Sequence, residues 1–387
     1  MKNEWEKVTL GEVAFITDGD HLPPPKTEDG IPFIFISNIE GFNKINFTDC
    51  SYVPESYYDK IIDKRRVKEN DILYSVVGSY GIPVLIKGRK KFCFQRHIAL
   101  IRAEKINPDF LVQALDSSGF HLQADKIAIG EAQKTITLEN LRKMKINLPP
   151  ISEQVKIAET LSLWDSVIEK TEKLISEKEK MFNGISQKIF RKAGIKHKIS
   201  EFLTIRNEKC IPDDSTPLYS LTIENGVTPK SDRYDREALV KDSEEKEYKV
   251  VYPGDIVFNP ANLRWGAIAR SNETKKVAVS PIYEVLQLDS SKINSDYLTF
   301  LLTSKDKIRY YATKTEGTLV ERMAVKVDVF LNFQIEIEED NENQKTVSEV
   351  LTTLIREISL LKKQLEQYKL QKQGLMQKLL TGEWRVK

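Results

Sequence analysis

Two short strings come nearest to carrying chemistry of their own. Asn147-Leu148-Pro149-Pro150 and Asn259-Pro260-Ala261-Asn262 approximate the Asn/Asp-Pro-Pro-aromatic catalytic run of adenine-N6 methyltransferases, but neither has the Pro-Pro-aromatic sequence. No glycine-rich cofactor turn and no Gly-x-x-x-x-Gly-Lys-Ser/Thr phosphate loop occurs. The four histidines, His21, His97, His121 and His197, are scattered without metal-ligand spacing. Carboxylate-lysine strings such as Glu244-Glu245-Lys246-Glu247 sit in a charged run, with no predicted strands to hold them as a nuclease would. The sequence therefore assigns no catalytic residue, no metal ligand and no cofactor, and predicts a chain that is not itself an enzyme. What remains is recognition chemistry: Arg, Asn, Gln, Ser and Thr in glycine-rich loops.

The elements that must hold those loops are written twice. Lys105-Ile106-Asn107-Pro108-Asp109-Phe110-Leu111 is matched by Lys292-Ile293-Asn294-Ser295-Asp296-Tyr297-Leu298, an offset of 187 from 105 to 292. Gln154, Glu159, Leu161, Gly184, Gln187 and Lys188 recur as Gln344, Glu349, Leu351, Gly374, Gln377 and Lys378, all at an offset of 190. Asp71-Ile72-Leu73 resembles Asp255-Ile256-Val257, and each is followed by an aromatic-glycine pair, Tyr80-Gly81 or Trp265-Gly266. The order is the same in both halves. A period this long is two copies of a domain plus a linker element, not a solenoid repeat.

Residues 1–150 and 198–341 read as mixed α/β. Short Val/Ile/Phe/Tyr runs (Ile31 to Ile36, Asp71 to Val77, Phe92 to Ile101; then Lys249 to Tyr252, Asp255 to Phe258, Val277 to Leu288) lie between Gly, Pro, Asn and Asp. One helix is predicted after each set, Pro108 to Ser117 and Ser295 to Ser304, packed on a curved, mostly antiparallel sheet.

Residues 151–197 and 342–387 differ in kind. Positions 157, 161, 164, 168, 171, 175, 178, 182, 185 and 189 are apolar at eight of ten, and the series 190 residues later at nine of ten. Alternating steps of four and three specify a coiled-coil seam. Ile157, Leu161, Trp164, Ile168, Leu351, Leu354, Ile358 and Leu365 are its expected interface, running about 55 Å. Each seam carries one lysine, Lys178 or Lys372, which either fixes register or snorkels to water. Ser152 is the expected N-cap of the first helix and Asp340 or Asn341 of the second. Gly184 and Gly374 sit inside the pattern, marking close backbone contact, a shared kink, or a tolerated cost of about 1 kcal/mol. The fold class is α+β: two pseudo-repeated domains separated by two long helices forming an antiparallel coiled coil.

Composition agrees with a folded chain of several domains. Hydrophobic residues are 40% and charged ones 30%, with a formal net charge of +2. Cys50, Cys93 and Cys210 are odd in number and far apart, which argues against disulfides and for a reducing cytosol. No signal peptide and no membrane span is expected, so the expected location is cytoplasmic.

This order of globular part, long helix, globular part, long helix resembles the specificity subunit of type I restriction-modification systems. So do the opening Trp5-Glu6-Lys7-Val8-Thr9-Leu10-Gly11-Glu12-Val13, the strand Pro32-Phe33-Ile34-Phe35-Ile36-Ser37-Asn38-Ile39, the junction Leu148-Pro149-Pro150-Ile151-Ser152-Glu153-Gln154 and the ending Gln377-Lys378-Leu379-Leu380-Thr381-Gly382-Glu383-Trp384-Arg385-Val386. The second junction, Ile335 to Gln344, keeps the glutamine but lacks the double proline. The resemblance implies that residues 1–150 and 198–341 are target recognition domains reading double-stranded DNA, with spacer helices at 151–197 and 342–387. It implies two methyltransferase subunits and two motor-nuclease subunits as partners. The expected site is asymmetric and bipartite, with half-site centres about one helical turn apart.

On that resemblance, DNA-binding residues are expected in matching loops. In the first half they are Ser79 and Tyr80, then Gln95 and Arg96, then Gln133, Lys134 and Thr135 of a loop that resembles a family loop near DNA. In the second they are Asn262 and Arg264, then Ser280, then Thr318 and Arg322. Arginine reads guanine bidentately and Asn or Gln reads adenine. His97 is either a structural histidine or a contact, and Trp265 is expected to pack under its loop. The clusters Lys64-Arg65-Arg66-Lys68 and Lys87-Arg89-Lys90-Lys91 are either phosphate contacts or a solvated face.

Overall fold

The computed structural model describes residues 5–21, 24–131, 134–192, 194–230, 247–314 and 324–386. The chain divides into two compact units, residues 1–172 with 363–387, and residues 173–362. Two helices of 40 residues, Ile151–Phe190 and Asn341–Leu380, each contribute one stretch to either unit.

In the first unit, the strands Ala14–Asp18, Ile98–Ala103, Asp71–Ser75 and Pro83–Leu85 lie side by side as an antiparallel sheet. The central strand Asp71–Ser75 is buried throughout, which is why it reads as an apolar run rather than an alternation. Its side chains divide between two cores. Ile72 and Tyr74 join Ile101, Phe110, Leu111 and Phe120 under the helices, whereas Leu73 joins Ile34, Phe92, Phe94 and Leu100 under a smaller sheet. That sheet holds Ser51–Val53, Ile31–Ile34 and Cys93–Phe94, and its last pairing is parallel.

The second unit repeats the plan. Leu203–Ile205, Glu284–Leu288, Ile256–Phe258 and Ile268–Arg270 form the antiparallel sheet. Ile256 and Phe258 face the helical core, and Val257 faces the second sheet. Among the described residues that second sheet holds five strands, Lys209–Cys210, Tyr248–Val251, Val277–Val279, Leu218–Thr222 and Gly226–Pro229.

Each predicted single helix is a pair. Pro108–Leu115 is followed by Ser118–Ile127, and Ser295–Leu302 by Lys305–Ala312. Ser117 stops the first helix and caps the second, its Oγ accepting from the Phe120 N–H. The long apolar runs also split. Phe92 to Ile101 breaks at a turn over Gln95–His97, and Val277 to Leu288 breaks before Glu284.

The first long helix starts two residues before the point where Ser152 would place it. Ile151 is already helical, and the Pro150 carbonyl accepts from Glu153 and Gln154, so Ser152 is not the cap. In the second helix Asp340 takes that role, its carboxylate accepting from the Glu342 N–H at 2.9 Å. Gln154 and Gln344 then do one job twice. Gln154 Oε1 accepts from the Asn107 N–H (2.8 Å) and its amide donates to Pro149 O (2.8 Å). Gln344 accepts from the Asn294 N–H (3.0 Å) and donates to Glu338 O (2.6 Å). Each glutamine thus ties a long helix to the start of the helix pair in its own unit.

Within each unit the stretches of the long helices pack antiparallel. In the first, Trp164 meets Tyr368 edge-on at 5.9 Å, Asp165 pairs with Lys372 at 2.5 Å, and Glu172 with Lys369 at 3.1 Å. In the second, Lys178 pairs with Glu357 (2.6 Å) and Glu179 with Lys362 (2.7 Å). Ile157, Leu161, Leu351, Leu354, Ile358 and Leu365 are buried, and Trp164 and Ile168 half-buried. Both seam lysines therefore answer a carboxylate of the opposite helix, which favours register over snorkelling. Gly184 and Gly374 are not places of close approach: a Cβ built on either meets nothing within 4 Å.

Candidate nucleic-acid interface

In the first unit, the expected residues gather where the sheet ends. Past Ser75 the chain keeps pairing: the Val76 N–H donates to His97 O (3.0 Å), and Val76 O accepts from the Ile136 N–H (2.8 Å). The Gly78 N–H then donates to Lys134 O at 2.9 Å. These bonds bring Ser79 and Tyr80, the Gln95–His97 turn, and Lys134 and Thr135 to one edge. Ser79, Arg96 and Lys134 are exposed there, and Tyr80, Gln95 and Thr135 half-buried. The Arg96 N–H donates to Asp20 O (2.9 Å), fixing the turn against the loop that follows Ala14–Asp18. Burial, with the Arg96 charge adding to it, pushes His97 below the ordinary imidazole range, so it is neutral at neutral pH.

The second unit repeats the geometry with other side chains. The Val325 N–H donates to Pro260 O (3.0 Å), as Ile136 does to Val76. The Tyr283 N–H donates to Ser280 O (3.0 Å), as Ile98 does to Gln95 O (3.1 Å). The loop between them is a short helical turn, Leu263–Trp265, preceded by Asn262 and closed by Gly266 at φ 95°, a left-handed conformation open to glycine at little cost. Leu263 is fully buried and pins the turn, while Asn262 is exposed and Arg264 half-buried. Trp265 does not pack under the loop. It is 63% exposed, with the Arg264 guanidinium 5.2 Å from its ring centre. A large aromatic beside a guanidinium on a loop tip offers stacking and bidentate donors together. Its place after Asn-Leu-Arg and before a turn-closing glycine was the available signal.

Six of the eight basic residues of the first-half clusters are engaged within their own unit. Arg65 pairs with Asp18 (3.1 Å), Lys68 with Asp63 (2.7 Å), Lys87 with Asp109 (2.8 Å) and Lys91 with Glu55 (3.0 Å). Arg66 donates to the carbonyls of Ile61 and Asp59, and Lys90 lies over Phe47. Gln133, Thr318 and Arg322 lie outside the described residues, as do Glu244, Glu245 and Lys246.

Residues 2–179 match the family of the type I restriction modification DNA specificity domain. A relative from Methanocaldococcus jannaschii, described as a type I restriction enzyme MjaX specificity subunit, is 26% identical over 419 residues, spanning 100% of this chain and 95% of its own. Along its whole length the chain is thus similar to type I restriction specificity subunits. The MjaVIII specificity subunit of the same organism is 29% identical over 195 residues, 47% of this chain and 45% of that one. In fold, the chain resembles the crystal structure of the type I restriction-modification S subunit from M. genitalium, with a TM-score of 0.63 at 15% identity over 98% of this chain and 97% of that chain. Among the described residues no helix is long and apolar enough to cross a membrane, and no group of three or more His, Cys, Asp or Glu could hold a metal ion.

Proposed function

We propose that this chain is a type I restriction specificity subunit that reads an asymmetric, bipartite site on double-stranded DNA, with one loop-bearing sheet end for each half-site. The observation that carries the reading is the recurrence of that sheet end in both units, matched in the Ile136–Val76 and Val325–Pro260 bonds and in the Ile98–Gln95 and Tyr283–Ser280 turns, with different side chains on it. A repeated backbone presents readers in matching places; unlike side chains make the half-sites unlike. Residues 1–150 and 198–341 are the two recognition domains on this reading, and 151–197 and 342–387 the spacer helices. Ser79, Tyr80, Gln95, Arg96, Gln133, Lys134 and Thr135 serve one half-site; Asn262, Arg264, Ser280, Thr318 and Arg322 serve the other.

The subunit itself performs no catalysis on this reading. Adenine-N6 methylation and ATP-dependent cleavage belong to partners, two methyltransferase and two motor-nuclease subunits, working in the cytoplasm. Mapping N6-methyladenine in the host with and without this gene tests it. The expected result is loss of methylation at one bipartite motif. Exchanging residues 1–150 for those of a homologue should then alter one half of the motif and leave the other. A change in both halves would overturn the division of labour. A protein-binding scaffold, the competing reading, predicts no DNA affinity that falls steeply with salt.

A further inference from the structure

The loop Gly78–Gly81 of the first unit rests on the helix Ser118–Ile127. His121 and Asp125 are one turn apart on that helix and so share a face. The Tyr80 hydroxyl donates to Asp125 Oδ1 at 2.7 Å. Gly81 holds φ 94°, and a Cβ there would sit 3.0 Å from His121 Nδ1 and 3.1 Å from its Cε1. The loop backbone therefore lies close against the imidazole, and a side chain there would require the ring to give by a few tenths of an ångström. On its far side the imidazole faces Asp116, Nε2 to Oδ1 being 3.8 Å.

The helix is itself held by the core. Phe120, the residue before His121, meets the fully buried Tyr74 edge-on at 6.0 Å. The foot of the loop is tied as well: the Gly81 N–H donates to Ser75 O (2.9 Å), and the Ile82 N–H to Ser75 Oγ (2.9 Å). Strand, helix and loop are thus one rigid stack. With its hydroxyl already donated to a carboxylate, Tyr80 acts on the loop's shape.

We infer that His121 and Asp125 are positioning residues that set the conformation of the Gly78–Gly81 loop, and thereby the specificity at the first unit's half-site. The inference rests on the reading that this loop faces DNA. It assigns Tyr80 to the loop's internal scaffold, and leaves contact with the duplex to Ser79 and its neighbours Arg96 and Lys134.

The test uses the chain assembled with its methyltransferase partners and duplexes bearing the motif found by methylome mapping. One set carries single-base changes in the first unit's half-site and another carries them in the other half-site. Asp125→Ala, Tyr80→Phe and His121→Ala should each cut discrimination at the first half-site by about tenfold. Discrimination at the other half-site and the salt dependence of binding should stay as they were, because no phosphate contact is lost. The double variant Asp125→Ala/Tyr80→Phe should be no worse than either single one. Asp125→Asn, which keeps the acceptor oxygen, should restore discrimination.

Additive losses in the double variant would show Tyr80 acting independently of Asp125, and would overturn the inference. So would a loss shared by both half-sites together with a lowered melting temperature, which is the mark of general destabilisation. If the three variants are silent while Arg96→Ala weakens binding, the inference fails and the DNA-facing reading stands. If Arg96→Ala and Lys134→Ala are silent too, that reading falls with it.

Discussion

Asp71 and Asp255 show what single residues settle in this chain. Both are almost wholly buried at the start of a central strand, 1% and 3% exposed, where a carboxylate is costly unless paired. Asp71 accepts from the Lys68 N–H and from Arg102, with Nε at 2.8 Å and Nη2 at 2.7 Å. Asp255 accepts from the Tyr252 N–H and from Arg206 at 2.6 and 3.0 Å. The arginine comes from different strands: Arg102 lies in the neighbouring Ile98–Ala103, whereas Arg206 follows Leu203–Ile205. Arg102→Leu should therefore strand a buried charge and cost about 3 kcal/mol in urea unfolding; a change within about 0.5 kcal/mol would refute the pairing's role. The matched aspartates were legible in the sequence as a repeat. Their partners were not, because no local pattern says which strand will deliver the arginine. The reading residues had the same limit: glycine-rich loops could be picked out, but the exposure of Trp265 depends on Leu263 turning inward to pin the turn.

At the scale of elements, periodicity carried far and short helices escaped it. The seam of the long helices is read from a repeat sustained over ten positions, and the structure buries six of the eight expected interface residues and half-buries the other two. Ser118–Ile127 and Lys305–Ala312 were missed because so short a helix holds too few turns for an apolar stripe to show. Each begins after a serine that also ended the preceding helix. The seam lysines gain their meaning only from the opposite helix. Lys372 is 9% exposed at its side chain, with Asp165 on one side and the Phe42 ring 4.3 Å away on another. Asp165 also accepts from the Gln113 amide at 2.6 Å. Removing the two ends of this pair should have unequal effects. Asp165→Ala leaves a buried ammonium and a buried amide unanswered, at about 3 kcal/mol. Lys372→Met leaves a carboxylate that water and Gln113 still reach, and fills the seam with an apolar chain, at about 1 kcal/mol or less. Equal losses in thermal melts of the two variants would show that desolvation of the lysine is not what the seam balances.

On the scale of the whole molecule, the repeat is not two equal beads on a string. The second unit is one continuous stretch, residues 173–362, while the first closes only when residues 363–387 return to residues 1–172. Met376, Leu379 and Leu380 belong to the same core as Leu10, Phe110, Ile157 and Leu161. The tail beyond them is fastened at several points. Arg385 donates to both oxygens of Glu153 (2.7 and 2.8 Å), Trp5 donates to the same carboxylate (3.3 Å), and Asn147 donates to Leu380 O (3.0 Å). Hydrogen bonding from Arg385, with Trp5 adding to it, holds Glu153 below the ordinary carboxylate range against the opposing effect of burial. The matching ending phrase was visible in the sequence; that it completes a core beginning at Leu10 was not, since nothing local joins positions that far apart. The consequence is an asymmetry between fragments. A fragment of residues 173–362 keeps every segment of its unit and should melt cooperatively. A fragment of residues 1–172 bares the apolar surface that Met376, Leu379 and Leu380 cover, and should lose cooperative melting and fast-exchange protection at Leu10 and Ile157. Adding a peptide of residues 363–387 should restore both, since it returns the missing wall of the core. Cooperative melting of 1–172 by itself, unchanged by the peptide, would show that the returning tail is a fastening rather than part of the core.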